Sequence, residues 1–248
     1  MKWKKTVYLS HRWLGLLVSL QLLAWSVGGF MFSILDIDNV HGDWERNVDP
    51  LAPVRLSDIR LTPSEAVERA AAEGVLAADV ASVAVRTRHN GQTVYELLDT
   101  KNAPLATVDA SAGEVVRRIG PDQASAAALR DFLPQAKVLS VRFLEDDPPL
   151  EYRGKPMPVY QVALDHPKET HVYVQPVTGQ VITRRNRPWR IFDFFWMLHI
   201  MDYGRRENFN HRLLTTMSLV AVLTSASGLA MWSFRLPKWR RKRVPSSG

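Results

Sequence analysis

Two uncharged runs constrain this chain more than anything else in it. Leu14–Leu35 (LGLLVSLQLLAWSVGGFMFSIL) and Leu213–Phe234 (LLTTMSLVAVLTSASGLAMWSF) are each 22 residues long. As helices, each would reach roughly 33 Å, enough to cross a hydrocarbon core of about 30 Å. The Ser and Thr of the second run can bond back to their own helix or across to a neighbour. The first run is too long for the apolar part of a cleaved signal, and the SILDID that ends it offers no small-x-small cleavage site. It therefore reads as a retained anchor. The expectation is two transmembrane helices, over residues 13–35 and 211–234.

Charge gives an expected orientation. Residues 1–12 carry Lys2, Lys4, Lys5 and Arg12, and residues 235–248 carry Arg235, Lys238, Arg240, Arg241, Lys242 and Arg243. Neither flank has an acid. These ten positives exceed the whole formal net charge of +7, so the rest of the chain is net negative. Short basic flanks stay in the cytoplasm. Both termini are thus expected inside, with the central region on the periplasmic side of a bacterial inner membrane. The sequence pI of 9.8 is then a topology signal. A nucleic-acid partner would need a basic face on a folded domain, so none is expected. The mean hydropathy of -0.14 hides this segregation. The chain has no Cys, which excludes disulfides, cysteine-ligated iron–sulfur clusters and covalent c-type haem. The outer region must be held by its own core, and roughly 130 residues suffice.

That region repeats itself. After a juxtamembrane linker (residues 36–54), residues 55–120 begin with LTPSEAVERAAAEG, a helix signature with Thr62 as cap, Pro63 just inside and Gly74 at the end. SVAVRT and TVYELL alternate like strands around His89-Asn90-Gly91, a hairpin signal. PLATVDASAGEVVRR adds two more strands. Residues 121–186 repeat the order: DQASAAALRDFL, KVLSVRFL, an irregular EDDPPLEYRGKPM, PVYQVALD, THVYVQP and VTGQVITRR. Val94-Tyr95 matches Val159-Tyr160, and Ala112-Gly113-Glu114-Val115 matches Thr178-Gly179-Gln180-Val181. Two α+β units, each a helix against a small antiparallel sheet, are the economical reading.

Each unit resembles a PepSY domain: an Ala-rich helix, a tyrosine-bearing strand, then a strand ending like D-x-x-x-G-E-V. Asp109, Gly113, Glu114 and Val115 match that ending in the first copy, whereas the second has Gln175 in place of the Asp. His11-Arg12-Trp13-Leu14-Gly15, with Leu198-His199 and Asn210-His211, is similar to PepSY-associated transmembrane proteins. The resemblance implies kinship with four-helix inner-membrane ferric-siderophore reductases that carry haem b on membrane histidines. It also implies kinship with flavin- or quinone-linked electron-transfer systems. This chain departs from that pattern in having two membrane helices and few histidines.

The candidate site follows from that kinship and from residues 187–210, read as an interfacial aromatic helix and turn. On a helix, Phe192, Phe195, Trp196, His199 and Tyr203 share a stripe. Asp202 is placed to orient the His199 ring, and Arg205, Arg206 and Arg212 lie nearby. His199 and His211 would be the axial ligands of a haem b at the outer membrane face, with Trp196 and Arg212 around it. His11 and Arg12 would serve a second haem at the cytoplasmic face. The same residues also fit an aromatic interface belt, with His211 simply capping the second span. Asp165, His166 and His171 suit a metal or a plain polar hairpin tip. Small-xxx-small pairs (Gly15/Ser19, Ala24/Gly28, Gly29/Ser33, Thr224/Gly228) mark close helix contacts, and Gln21 suits an interhelical bond.

No HExxH, GxSxG, Walker or GxGxxG motif is present. The chain is therefore not expected to be an enzyme alone, but at most a subunit of a membrane oxidoreductase. The leading expectation is a haem-b-binding electron-transfer or redox-accessory subunit linked to iron, siderophore or cofactor reduction. Its partners would be the lipid bilayer and a redox subunit or a second copy. The rival is a membrane-tethered PepSY module that binds or regulates a partner or peptidase without a cofactor.

Overall fold

The first repeat's helix is set by its own first turn. Thr62 Oγ1 accepts from the Glu65 N–H at 3.3 Å, the Glu65 carboxylate accepts from the Thr62 N–H at 2.7 Å, and Pro63 takes the first helical position. This reciprocal cap satisfies donors that a helix start leaves open. The second repeat's helix starts at Gly120, which has no side chain to offer. There the Gln123 side chain accepts from the Gly120 N–H at 3.0 Å.

The computed structural model describes residues 2–48, 53–88 and 90–235. Its elements are, in order, α1 (Lys2–Ile34), α2 (Ile37–His41), α3 (Pro63–Ala72), β1 (Ser82–Thr87), β2 (Thr93–Leu98), β3 (Pro104–Asp109) and β4 (Val115–Val116). They continue with α4 (Pro121–Asp131), β5 (Val138–Leu144), β6 (Val159–Leu164), β7 (His171–Val174), β8 (Val181–Arg185), α5 (Arg187–Ile200) and α6 (Arg212–Arg235). The chain divides into two compact units, one of Met1–Ile34 with Phe192–Gly248, the other of Leu35–Ile191. His89, expected in the first hairpin turn, and most of the basic tail, from residue 236, lie outside the described residues.

The unit Leu35–Ile191 is α+β, with two antiparallel four-stranded meanders ordered β1-β2-β3-β4 and β5-β6-β7-β8. Ala66 and Ala70 of α3, and Ala124 and Ala128 of α4, are wholly buried. Methyl groups one turn apart let each helix lie close to its sheet. One core gathers Leu61, Tyr95, Leu97 and Val108; the other gathers Phe132, Tyr160, Val162, Leu164 and Val172.

The two copies match atom for atom at two places. The Tyr95 hydroxyl donates to the Leu61 carbonyl at 2.6 Å, and the Tyr160 hydroxyl donates to the Ile119 carbonyl at 2.8 Å. Each tyrosine thus ties its strand to the residue just ahead of its own repeat's helix cap. Asp109 Oδ1 accepts from the Ser111 N–H at 2.7 Å and also from the Ala112 N–H. Gln175 Oε1 accepts from the Val177 N–H at 2.5 Å and the Thr178 N–H at 2.7 Å. Gln175 therefore makes the same turn as the Asp it replaces. Gly113 and Gly179 follow at φ of +76° and +73°, where a side chain would be strained.

The second repeat carries an insertion that the first lacks. EDDPPLEYRGKPM folds over the sheet face away from α4. Tyr152 there is fully buried and stacks on Tyr173 at 4.3 Å, in a small core with Val159.

In the other unit, α1 and α6 pack together. Lys5–Ile34 and Arg212–Ser233 are both long and apolar enough to cross a membrane, each with mean hydropathy 1.7. The α1 helix begins well before the expected residue 13, because no Pro or Gly interrupts residues 2–14. Gly15 faces Thr224, where a Cβ would lie 4.0 Å from the Thr224 methyl. Ser19 and Ser33 bond back to their own helix, to the Leu16 and Phe30 carbonyls.

Candidate functional site

The C-terminus of α5 organises the unit that contains α1 and α6. A helix end leaves its last carbonyls unpaired, and in apolar surroundings each unpaired group is costly. Three successive carbonyls here each accept from a side chain. Gln21 Nε2 reaches the Leu198 carbonyl at 3.1 Å, Trp25 Nε1 reaches His199 at 2.8 Å, and His211 Nε2 reaches Ile200 at 2.9 Å. Gly28 lies at this contact, where a Cβ would sit in ordinary van der Waals contact, 3.7 Å from the Phe195 carbonyl and 4.0 Å from His199 Nδ1. Gln21 thus makes the interhelical bond its sequence position suggests.

His211 holds two helix ends at once. Its Nε2 must carry the proton, because a carbonyl only accepts. Its Nδ1 faces the Leu214 N–H at 3.4 Å in the cap position of α6, and its carbonyl accepts from the Thr215 N–H at 3.1 Å. Both ring nitrogens are therefore engaged.

His199 differs. Its ring lies 5.7 Å from Phe32 and 6.3 Å from Trp25, and its Nδ1 is buried without a hydrogen-bond partner among the described residues. Phe192 packs on Phe32 at 4.8 Å and stacks over Trp196 at 6.5 Å. The expected aromatic stripe is present from Phe192 to His199. It stops there, because Met201 at φ +56° ends the helix and leaves Tyr203 exposed beyond it.

Asp202 does not orient His199. Its Oδ1 accepts from the Gly204 and Arg205 N–H groups, and its Oδ2 from Glu207 and Asn208. It folds the turn between α5 and α6 as a hub. Arg206 pairs with buried Asp193 at 2.6 Å, and its carbonyl accepts from Trp196 Nε1 at 3.2 Å. Arg212 is exposed at the start of α6.

His11 sits elsewhere. Its Nδ1 lies 2.7 Å from Ser227 Oγ, and that hydroxyl donates to the Thr224 carbonyl at 2.7 Å. Ser227 can then only accept, so Nδ1 carries the proton. Ser227 is sixteen residues beyond His211, roughly 24 Å along the helix. Gly228 makes room for the imidazole, since a Cβ there would be 3.2 Å from His11 Cε1. Arg12 lies over its neighbour Trp13 at 5.8 Å.

In the unit Leu35–Ile191, the insertion places Glu151 among four partners, a grouping that sequence reasoning missed although it had singled out His171. Its Oε1 lies 2.5 Å from His171 Nδ1 and accepts from the Tyr173 hydroxyl at 2.7 Å; its Oε2 accepts from Arg190 Nε at 2.7 Å. Arg185 Nε donates to the Glu151 carbonyl at 2.7 Å. Burial alone would raise the carboxyl, but the bonds from His171, Arg190 and Tyr173 outweigh it and hold its pKa at about 2. Burial, reinforced by Glu151, pushes the Tyr173 phenol well above its ordinary range. Among the described residues, no group of three or more His, Cys, Asp or Glu is placed to hold a metal ion. His166 instead stands edge-on to Phe132 at 5.0 Å.

A family model described as the PepSY-associated TM region matches residues 8–247. The chain belongs to that family. No curated protein and no solved structure matches it. Membership, with the two apolar helices, makes this a membrane protein.

The resemblance brings haem b into question, and the residues can be tested for fit. A bis-imidazole haem needs a free nitrogen on each histidine. His199 offers a buried, unpartnered Nδ1. His211 does not fit as it stands, because ligation through Nε2 would break its bond to the end of α5, and ligation through Nδ1 would displace the Leu214 N–H at the start of α6. For the His199–His211 axial pair expected from sequence, His211 would have to give up bonds that it makes here. The reason is positional: His211 falls at the cap of α6, where its ring meets the end of α5.

Proposed function

We propose that this PepSY-associated protein is a membrane-tethered binding or regulatory module, with α1 and α6 as its anchor and the PepSY-like copies as its working part. The observation that carries this reading is the triple closure of α5 by Gln21, Trp25 and His211. The side chains of Gln21, Trp25 and His211 are thereby spent on holding the anchor together. The basic flanks support termini in the cytoplasm and residues 36–212 in the periplasm, across a bacterial inner membrane. A reporter active only in the periplasm should then work when inserted near Asn102 and fail when fused after Gly248. The chain purified in detergent after expression with ample haem should show no Soret band.

A second reading rests on one observation. The unpartnered Nδ1 of His199, among Phe32, Phe192 and Trp196, favours a redox-accessory subunit holding haem b at His199 with the other axial position supplied from elsewhere. Bound haem would supply one-electron transfer, and Phe32 and Trp25 would fix the imidazole. A Soret band lost in His199→Ala and kept in His211→Ala would favour this reading over the first.

A further inference from the structure

We propose that residues 192–200 of α5 form a re-entrant membrane segment, which enters the bilayer beside the Ile34 end of α1, stops in the hydrocarbon and turns Phe194 to the lipid acyl chains. The depth comes from the register of α1 and α6. His11 bonds Ser227, and Gly15 faces Thr224. This antiparallel register sets Leu213, where the second uncharged run begins, level with Trp25 or Ser26, and sets Leu14 level with Thr224 or Ser225. The two runs thus overlap over residues 14–25 of α1. A hydrocarbon slab of about 30 Å centred on either run contains Gln21 and reaches Trp25. Those are the residues that bond the Leu198 and His199 carbonyls at the end of α5. Trp25 is nine residues short of Ile34, roughly 14 Å along α1.

The stagger also leaves room for a third helix. Since α6 starts at Arg212, level with Ser26 or Val27, residues 28–34 of α1 rise past it. There α5 lies instead, with Phe192 on Phe32 at 4.8 Å and the Phe195 carbonyl beside Gly28. Water satisfies the end of a helix that stands in solvent; in hydrocarbon the protein must do it. Three side-chain donors on three successive carbonyls meet that need. Buried Asp193 is likewise neutralised by Arg206 at 2.6 Å, and both Asp202 carboxylate oxygens accept from backbone N–H groups of the returning turn. Phe194, two residues from Phe192 and so nearly opposite it on the helix, is 48% exposed. In water that ring stands unburied, whereas acyl chains bury it. The segment enters and leaves by one face of the membrane, so both termini stay where two spans put them.

The test uses the full chain in phosphatidylcholine vesicles. With no native Cys, single nitroxide labels can be placed at chosen sites. Their collisions with oxygen, which favours lipid, are compared with those of a water-soluble nickel chelate. Leu219→Cys, exposed on α6, gives the lipid value, and Leu76→Cys, exposed in the unit Leu35–Ile191, gives the water value. The oxygen-to-nickel ratio at Phe194→Cys should rise from the Leu76 value towards that of Leu219. Met197→Cys lies three residues nearer the end of α5 on the same face, so its ratio should be higher again. Each of these side chains is exposed or half-buried, so the fold should survive. A Phe194 label that reads as Leu76 does would place α5 in water. Equal ratios at Phe194 and Met197 would lay the helix flat on the surface. A Phe194 label reached by neither reagent would put protein where lipid is proposed. Any of the three overturns the proposal.

Discussion

The indole Nε1 of Trp25 donates to the backbone carbonyl of His199 at 2.8 Å. The bond joins a side chain in the middle of α1 to the last turn of α5. With Gln21 one helical turn before it and His211 after the chain reverses, it converts a helix end into a closed joint.

Removing one donor should leave one buried carbonyl unpaired. Gln21→Leu keeps the bulk and deletes the donor, so it should lower stability by about 1–3 kcal/mol. His211→Ala removes a donor and a cap together, and should cost more than Gln21→Leu. Thermal unfolding in detergent measures both. Equal melting temperatures for native protein and His211→Ala would remove His211 from the joint.

The paired tyrosines make a second prediction. Tyr95→Phe and Tyr160→Phe each delete one buried hydroxyl and strand one carbonyl, at Leu61 and Ile119. Each should cost about 1–3 kcal/mol. The tyrosines belong to different cores, so the double variant should show the sum. Hydrogen exchange should report the loss in the mutated repeat only.

Gln175 tests whether the second copy's altered motif still does the first copy's work. Gln175→Ala should unfasten the Val177–Thr178 turn and cost about 1 kcal/mol. Gln175→Asp should be nearly neutral, because a shorter carboxylate makes the equivalent bonds at Asp109. A large loss with Asp would mean that the glutamine's extra methylene is needed to reach the turn.

Much of this was legible in the sequence, for identifiable reasons. Membrane helices announce themselves by length and missing charge, and β2 and β6 by alternation around a tyrosine. The 66-residue offset between Gly113 and Gly179 marks the same positive-φ turn twice. The candidate site was less legible. The aromatic stripe was readable up to His199, because helical period fixes it. Whether His211 would ligate or cap depended on where α5 ended, and that hangs on Met201 adopting a positive φ that no local motif signals. Asp202 was misassigned for the same reason: three residues on from His199 is orientation only if the helix continues. The Glu151 cluster was invisible because its partners come from an irregular loop, two strands and the start of α5.

That cluster gives the last prediction, a pH dependence. The Glu151 carboxyl is held at about 2 in the folded chain, against an ordinary value of 4.5. A carboxyl whose pKa is depressed by folding stabilises the fold where it is ionised, and that contribution disappears as it takes up a proton. The stabilisation should be fully present above about pH 4.5 and fall as the pH drops from there towards 2. Its size, from the shift, is on the order of 3 kcal/mol. His171, Arg190 and the Tyr173 hydroxyl face the carboxylate, and Arg185 its backbone carbonyl. Glu151→Gln keeps the shape and removes the titration. Its melting temperature should be lower than the native protein's at pH 7, and the gap should narrow as the pH falls to 3. A gap that stays constant over that range would mean that the carboxylate carries no depressed pKa, and that the insertion is held by the Tyr152–Tyr173 stack and the Arg185 bond to the Glu151 carbonyl.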